Sequence, residues 1–362
     1  DKTINTTSEI TPNYSPITTN FWSSIPSTYY YANVFEELDT FGEWFADDKS
    51  QRFYFYLPQD VNLSGGEISY KKHKGYAAEI SGGNNIVIDN IDISDVDKGI
   101  NITQSKNVVL QNCQISNIKS EAVRMYDTEK CGILNSEIYN VSDYCAVDIS
   151  QSAQWNSELV PRRNFIQNSY INNVMKAIRI SGSTGNIFSH NLIKNTAYSG
   201  VELSGAENIF EYNEFAGVAN KITDAGGIYV GGDIKNRANT IRYNYFHDSR
   251  PDKKNARAIY NDDCSDMSWN YGNVVKNFSY GLFQHSGDDH VIMDNIVINA
   301  ETYIRNSSNY ATQEGLMKSH FFSSSPQFIR AYERHKKKEE IKRNIKGYFK
   351  VRADRVKNSI DN

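Results

Sequence analysis

Residues 223–266, TDAGGIYVGGDIKNRANTIRYNYFHDSRPDKKNARAIYNDDCSD, contain one short pattern twice. The pattern is a small residue, an apolar residue, a variable residue X and, in most copies, a second apolar residue. It recurs eight times, at residues 99–102, 122–125, 146–149, 177–180, 200–203, 227–230, 258–261 and 281–284. Because the second and fourth residues alternate with X, we expect them to point into a core while X points to solvent. Each copy therefore predicts a short β-strand.

A turn residue precedes each copy and marks a longer repeat. These turn residues are Asp95, Asn117, Asn140, Asn173, Asn195, Gly217, Asp248, Asn277 and Asn299. Successive turn residues are 22 to 33 positions apart, a range typical of stacked repeat proteins. The pattern of leucine-rich repeats is absent, and no helical periodicity separates the strands. We therefore predict an all-β parallel β-helix, a solenoid of about nine or more coils in which asparagine amides bond along the stack.

The chain on either side of this repeat differs in composition. Residues 1–27 are rich in Thr, Asn, Ser and Pro and are expected to form an extended N-terminal arm. Residues 28–83 alternate aromatic and acidic residues, which favours an N-terminal β-rich cap and the first coils. The parallel β-helix with its loops is predicted over residues 84–300.

Residues 301–362 are predicted to form a C-terminal cap and a basic amphipathic helical tail. The apolar residues Ile341, Ile345 and Tyr348 follow helical spacing there. Residues 330–362 carry 12 Lys and Arg against 5 Asp and Glu, in a chain whose net charge is −4. A solvated helix packed on the last coil is expected, and contact with an anionic surface is the alternative.

The composition indicates which kinds of partner the chain is suited to bind. The 24 Tyr and 17 Phe, with abundant Asn, suit sugar binding, although the same residues also favour strands and turns. The 4 Cys lack metal-ligand spacing. No transmembrane segment is predicted, because no apolar run is long enough, and nucleic acid is not a predicted partner. The first residue is Asp1, without a start Met or signal peptide, and we expect a secreted, periplasmic or cell-surface protein.

The X positions form one stripe when the coils are stacked. Along the stack they are Asn101, Arg124, Asp148, Arg179, Glu202, Tyr229, Tyr260 and Phe283. Such a stripe could bind a sugar chain, with charges that orient it and rings that stack on it. The alternative is a self-neutralising ladder of ion pairs, each worth a few tenths of a kcal/mol. His285, two residues after Phe283, is a further candidate for contact with a substrate hydroxyl.

Two long loops single out the coils that carry acids. The small residue follows its turn residue by 10 positions at Gly227 and again at Ala258. Both of these longer loops are expected to enter the same face. The acids at these coils are Asp224, Asp233, Asp262 and Asp263. Two carboxylates on adjacent coils are the minimum for glycoside hydrolysis, one as acid and one as nucleophile or base. Each acid is also compatible with a capping role at a turn or strand end.

The phrases Gly42-Glu43-Trp44-Phe45, Asp224-Ala-Gly-Gly-Ile-Tyr and Ala258-Ile-Tyr-Asn-Asp-Asp263 occur in a familiar order. Over residues 40–300 the chain resembles the right-handed parallel β-helix carbohydrate-active proteins of the pectate-lyase-like superfamily. It is most similar to their glycoside hydrolases, which include α-L-fucosidases and xylanases. The resemblance implies Asp224 with Asp263 or Asp262 as catalytic acids. A histidine common in that family is replaced here by Tyr198.

Three functions are compatible with the sequence. The first is a polysaccharide-degrading glycoside hydrolase with Asp224, Asp262 and Asp263 as catalytic acids. Its predicted substrate contacts are Arg124, Asp148, Arg179, Glu202, Tyr229, Asp233, Tyr260, Phe283 and His285. The alternatives are a polysaccharide lyase for uronate-containing glycans, and a non-catalytic sugar-binding or adhesive β-helix. No metal ligand and no cofactor are predicted, although an acidic cleft of this type could hold one Ca²⁺.

Overall fold

The structure is a computed structural model. It describes residues 34–40, 43–47, 49–50, 52–57, 74–152, 160–222, 224–231, 236–249, 256–263, 265–285, 287 and 289–306. The predicted N-terminal arm, the predicted basic helical tail, residues 153–159 and Asp233 lie outside these residues. The chain divides into two compact units, Asp1–Ser69 and Tyr70–Asn362.

The first unit contains a short antiparallel hairpin. After a 3-10 helix at Phe35–Glu37, strand β1 (Trp44–Asp47) pairs antiparallel with β2 (Arg52–Phe55). The ring of Phe35 contacts Phe45 and Tyr54 edge-on, each at a centroid distance of 5.3 Å.

The second unit is the predicted parallel β-helix, with three strands in each coil. The first face consists of β3 (Tyr76–Ser81), β6 (Lys98–Thr103), β9 (Glu121–Tyr126), β12 (Cys145–Ser150), β15 (Ile178–Ser181), β18 (Val201–Ser204), β21 (Gly226–Val230) and β24 (Arg257–Asn261). The second face consists of β4 (Asn84–Asp89), β7 (Lys106–Gln111), β10 (Gly132–Leu134), β13 (Phe165–Gln167), β16 (Ile187–Ser189), β19 (Ile209–Glu211), β22 (Thr240–Arg242), β25 (Trp269–Tyr271) and β27 (Val291–Met293). The third face consists of β5 (Asp92–Ser94), β8 (Gln114–Ile118), β11 (Glu137–Val141), β14 (Tyr170–Val174), β17 (Leu192–Thr196), β20 (Glu214–Ala216) and β23 (Tyr245–His247). Two long strands, β26 (Val274–Gln284) and β28 (Ile296–Asn306), cover the third and first faces in turn.

The register confirms the stacking that the eight repeats predict. The second face is a nine-stranded parallel sheet, and the first and third faces together form a 17-stranded sheet. On the first face the X residues pair coil by coil from Asn101 through Asp148 and Tyr229 to Phe283. The apolar residues on either side of X line the buried core. The X residues are therefore one continuous stripe.

The turn residues bend the chain between the third and first faces. All nine, from Asp95 to Asn299, have a positive φ between 51° and 61°. Asn, Asp and Gly tolerate this left-handed conformation better than other residues, which explains their recurrence. Neighbouring amides also bond along the stack as predicted, for example Asn140 to Asn117 at 3.0 Å and Asn173 to Asn140 at 2.8 Å.

The small residue of each repeat leaves room for its neighbours. A Cβ on Gly227 would lie 2.7 Å from the Ala258 carbonyl oxygen and 2.7 Å from the ring of Phe246. That ring stacks on Phe215 inside the core at a centroid distance of 4.7 Å. Small residues at this position thus admit the large rings that fill the solenoid.

Two further asparagine ladders lie inside the solenoid, where the sequence analysis placed none. At the corner between the second and third faces, side-chain amides donate in succession along the coils at 2.9 to 3.0 Å. The members are Asn191, Asn213, Asn244, Asn273 and Asn295. A second ladder, Asn186, Asn208 and Asn239, occupies the corner between the first and second faces. These amides satisfy backbone groups that bend away from the sheets.

The described residues include no helix long and apolar enough to cross a bilayer. Cys113, Cys131 and Cys145 are buried free thiols.

Candidate functional site

The acids of the last coils meet at the corner between the first and second faces. Asp262 and Asp263 directly follow β24, and His285 directly follows β26 on the next coil. Tyr229 on β21 and Tyr260 on β24 point from the first face toward them. We call these five residues the Asp262 cluster. Parallel strands of successive coils end at the same edge, which is why residues far apart in sequence converge here.

Asp262 is the centre of this cluster. Its Oδ2 accepts a hydrogen bond from the Tyr229 hydroxyl at 2.7 Å, and its Oδ1 accepts one from the Tyr260 hydroxyl at 3.0 Å. Nδ1 of His285 lies 2.8 Å from Oδ1 of Asp262 and 3.3 Å from Oδ1 of Asp263. The two predicted carboxylates therefore share one imidazole nitrogen.

The tyrosines of the cluster are held in the neutral form. Burial, followed by the charge of Asp262, raises the pKa of Tyr229 and the pKa of Tyr260 far above the usual value of 10.0. Burial, with the charges of Glu202, Asp224 and Asp262, also raises the pKa of Tyr198. Neutral phenols donate hydrogen bonds to carboxylates and cannot serve as proton-abstracting bases near neutral pH.

Asp224 lies apart from the other two predicted acids. It precedes β21, whereas Asp262 follows β24, so the two acids flank opposite ends of the strands that carry Tyr229 and Tyr260. The Asp224 side chain is 71% exposed, and its Oδ1 lies 3.3 Å from Nη1 of Arg257. The structure thus brings Asp262 and Asp263 together and places Asp224 at the far end of the first face.

The aromatic end of the stripe is covered rather than exposed. Tyr260 is only 3% exposed and Phe283 only 4%. The Arg257 guanidinium lies over both rings, at 4.1 Å from the Tyr260 centroid and 4.8 Å from the Phe283 centroid. The prediction that every X residue faces solvent is therefore wrong for these two rings, because Arg257, the first residue of β24, places its guanidinium over them. It is also wrong for Asp148, which is buried.

The charged half of the stripe is paired along the stack. Asp148, 5% exposed, accepts a hydrogen bond from Nη1 of Arg179 at 2.9 Å and lies 3.9 Å from Nε of Arg124. Glu202 is paired with Lys176 at 2.5 Å. The self-neutralising ladder that the sequence allows is thus present on the first face.

Three residues of this surface were not predicted. The Lys176 ammonium lies 5.6 Å from the ring centroid of Tyr144 and 5.2 Å from that of Tyr198. The Tyr198 ring packs edge-on against Tyr229 at 6.3 Å. Tyr144 and Tyr198 both stand two residues before the small residue of their repeats, a recurrence that was visible in the sequence.

The cluster also has the composition of a metal site. One ligand atom from each of Asp262, Asp263 and His285 lies within 4.8 Å of the others. Carboxylate oxygens and imidazole nitrogen are ligands for several divalent cations. Asp262 already accepts hydrogen bonds from two tyrosines, so its oxygens have partners in the protein itself.

Comparison with solved structures gives matches at low sequence identity. A protein described as a glycoside hydrolase matches with a TM-score of 0.50 and 14% identity, covering 78% of this chain and 59% of that one. An alginate lyase from Paenibacillus sp. strain FPU-7 matches at 0.37 and 16% identity, with coverages of 64% and 78%. A tailspike protein of E. coli bacteriophage HK620, solved with a pentasaccharide, matches at 0.44 and 12% identity, with coverages of 62% and 43%. This chain therefore spans less than two thirds of the glycoside hydrolase and of the tailspike.

No curated protein matches the chain. The family described as the right-handed beta helix region matches residues 53–191 and 122–299, which together cover more than half of the sequence. The coil register, the three faces and this family match agree: the chain belongs to the right-handed β-helix family.

Proposed function

We propose that the chain is a glycoside hydrolase that cleaves a polysaccharide in the groove along its first face. The observation that carries the proposal is the pair of neighbouring carboxylates, Asp262 and Asp263, that meet at one nitrogen of His285. Two carboxyl groups in one site supply the acid and the base or nucleophile that glycoside hydrolysis needs.

The surroundings of the two carboxyl groups separate their roles. Both oxygens of Asp262 accept hydrogen bonds from tyrosine hydroxyls that hold the carboxylate in place, so we assign Asp262 the role of nucleophile. Asp263 is the acid that protonates the glycosidic oxygen as the bond to the anomeric carbon breaks. Asp262 attacks the anomeric carbon as that bond breaks and forms a covalent glycosyl ester. Water then displaces Asp262 from the anomeric carbon, and Asp263, ionised by the first step, accepts the proton of this water. Their oxygens lie within 4.8 Å of one another, which favours retention over inversion, since retaining pairs are typically about 5 Å apart.

The stripe would hold the sugar chain on the N-terminal side of the cluster. Tyr198 and Tyr144 offer rings next to the paired charges of Lys176 and Glu202. Aromatic rings stack on the apolar faces of sugars, and charged side chains form hydrogen bonds with sugar hydroxyls. Asp224, exposed at the other end of the strands, is proposed to contact the substrate rather than the bond that breaks.

A polysaccharide lyase is the second candidate. The observation that favours it is the contact between His285 and Asp262, which could orient an imidazole as the base for β-elimination. A lyase also needs a cation for the uronate carboxylate. In the described part of the groove, Arg124, Arg179, Lys176 and Arg257 each have a carboxylate within 4.0 Å, which weakens this reading.

Incubation with neutral and acidic polysaccharides separates the two candidates. The hydrolase produces new reducing ends without an unsaturated product, and the anomeric configuration of the first product is retained. Near-ultraviolet absorption by the products would establish the lyase instead. Binding without any cleavage product would leave only the sugar-binding function and overturn the proposal.

A further inference from the structure

The corner between the second and third faces carries a row of exposed residues, one in each coil. In five successive coils they are Asn135, Asn168, His190, Tyr212 and Tyr243, all with a positive φ between 49° and 57°. This shared conformation holds their side chains in one column on the surface. The column changes from amides to rings at His190.

The rings of this column form a continuous stack. His190 stacks on Tyr212 at a centroid distance of 5.1 Å and an interplanar angle of 6°. Tyr212 stacks on Tyr243 at 5.2 Å and 17°. Tyr212 and Tyr243 are 50% and 45% exposed. Because the preceding residue of the column is the short Asn168, no ring of the column covers the other face of His190.

A groove of about 380 Å³ lies at this step in the column. Asn135, Asn168 and His190 line it from the column, and Glu137, Tyr170 and Leu192 line it from the adjoining third face. Its volume is at the lower end of the range for small-molecule sites, about 300 to 1,000 Å³. We call it the corner groove.

The polar side chains of the corner groove are free to bind a ligand. Within the described residues, the amides of Asn135 and Asn168 and the carboxylate of Glu137 make no side-chain hydrogen bond or ion pair. One coil before Asn135 on the same corner, Asn112 donates to Asp89 at 2.7 Å. Amide ladders on other corners of the molecule are likewise bonded. The side chains of Asn135, Asn168 and Glu137 thus lie beside the uncovered face of the His190 ring.

We propose that the corner groove binds a pyranose unit of a neutral glycan, separately from the proposed catalytic groove. The sugar ring would stack on His190 at the next position of the aromatic column, where the coil spacing of about 5 Å matches ring stacking. Its hydroxyls would bond to Asn135, Asn168 and Glu137. The lining includes a carboxylate and no Lys or Arg, which disfavours uronates. Such a site would keep the enzyme on its polymer while other chains enter the catalytic groove.

The test measures binding to a protein that cannot cleave. The background is the Asp262→Asn/Asp263→Asn variant, titrated by calorimetry with hexasaccharides of β-1,4-linked glucose, xylose and mannose, with α-1,4-linked glucose, and with a galacturonate oligomer. We add Asn168→Tyr, which extends the stack and fills the position of the sugar; Tyr is accepted in this conformation at residues 212 and 243. His190→Ala, which removes the platform, is the second variant.

At least one neutral hexasaccharide is expected to bind, and both substitutions are expected to weaken that binding by roughly fivefold or more. The matched control is Asn90→Tyr, on the same corner and with the same conformation but away from the groove, which is expected to leave binding unchanged. Equal affinity with and without Asn168→Tyr and His190→Ala would overturn the proposal. Binding of the galacturonate alone, or of none of the panel, would overturn it as well. None of these readouts depends on cleavage.

Discussion

The Tyr229 hydroxyl donates a 2.7 Å hydrogen bond to Oδ2 of Asp262, which lies one coil further along the solenoid. Tyr229 is an X residue on the first-face strand β21. Asp262 is the first residue after β24, the first-face strand of the next coil. The hydrogen bond therefore fixes the position of a loop carboxylate against the rigid sheet. Pre-positioning of this kind is what a reacting group requires.

Loss of either carboxylate is expected to abolish most of the cleavage activity. Asp262→Asn and Asp263→Asn should each lower kcat at least about 100-fold on the best polysaccharide, because each removes a proton-transfer or nucleophilic group. The control is Asp95→Asn, at a corner position where Asn117 and Asn140 adopt the same conformation. Full activity in both cluster variants would refute the site assignment.

Asp224→Asn should raise KM more than it lowers kcat.

The fold was largely predictable because its causes are local. A few residues of sequence are enough to recognise a strand with alternating side chains, or an Asn in a conformation of positive φ. The regular recurrence of these two patterns predicts that the coils stack. Asn117, Asn140 and Asn173 were identified in this way. The buried ladder through Asn213 and Asn244 was missed, because Asn was interpreted as a surface turn residue.

The site was less predictable because its contacts join different coils through loops. The sequence analysis named Asp262 and Asp263 as candidate acids and His285 as a candidate substrate contact, and the structure brings the three side chains together. It did not show that Tyr229 and Tyr260 bond to Asp262, since this depends on the path of the chain after β24. Nor did it show that Arg257 covers Phe283, since this depends on the conformations of two side chains on neighbouring strands. Asp224 was grouped with the other acids because it is close to a similar phrase, although it precedes its strand and they follow theirs.

Replacement of one amide in the buried ladder should destabilise the whole solenoid. Asn244 donates to the carbonyl oxygens of Phe210 and Arg242 and to the side chain of Asn273, and it accepts from Asn213. Asn244→Ala leaves these buried groups unpaired, so we expect a loss of at least about 3 kcal/mol in the free energy of unfolding. Asn84→Ala, on the exposed part of β4, should cost no more than about 0.5 kcal/mol. Denaturant titration with both variants decides this, and equal costs would contradict the role of the ladder.

A single methyl group at the small position should also be costly. The Cβ of Gly227→Ala would meet the Ala258 carbonyl oxygen and the Phe246 ring at 2.7 Å, so one of them must shift. We expect a loss of about 1 to 3 kcal/mol by chemical denaturation. Gly231→Ala is the matched control, since its Cβ would have no neighbour closer than 3.7 Å. An unchanged midpoint in Gly227→Ala would show that the coils are looser than these distances imply.

Removal of divalent cations is expected to leave activity and the thermal midpoint unchanged. Asp262 is already stabilised by Tyr229 and Tyr260, and Nδ1 of His285 faces the two carboxylates, so the cluster holds together through hydrogen bonds. Assays in EDTA, with and without added Ca²⁺ or Zn²⁺, test this. A loss of activity in EDTA that one cation restores would instead establish the Asp262 cluster as a metal site.

Alkaline pH should destabilise the fold through the tyrosines beside Asp262. Burial and the charge of Asp262 raise the pKa of Tyr229 and of Tyr260 above the value of 10.0 expected in the unfolded chain. Below pH about 10 these phenols are protonated in both the folded and the unfolded chain, so their contribution to the free energy of unfolding is fully present. Above pH about 10 the phenols of the unfolded chain ionise first, and the free energy of unfolding falls. The thermal midpoint should therefore drop as the pH rises above about 10, and less steeply in Tyr229→Phe. Tyr212→Phe, at an exposed ring, should follow the parent curve; if Tyr229→Phe followed it too, the buried phenols would not be the cause.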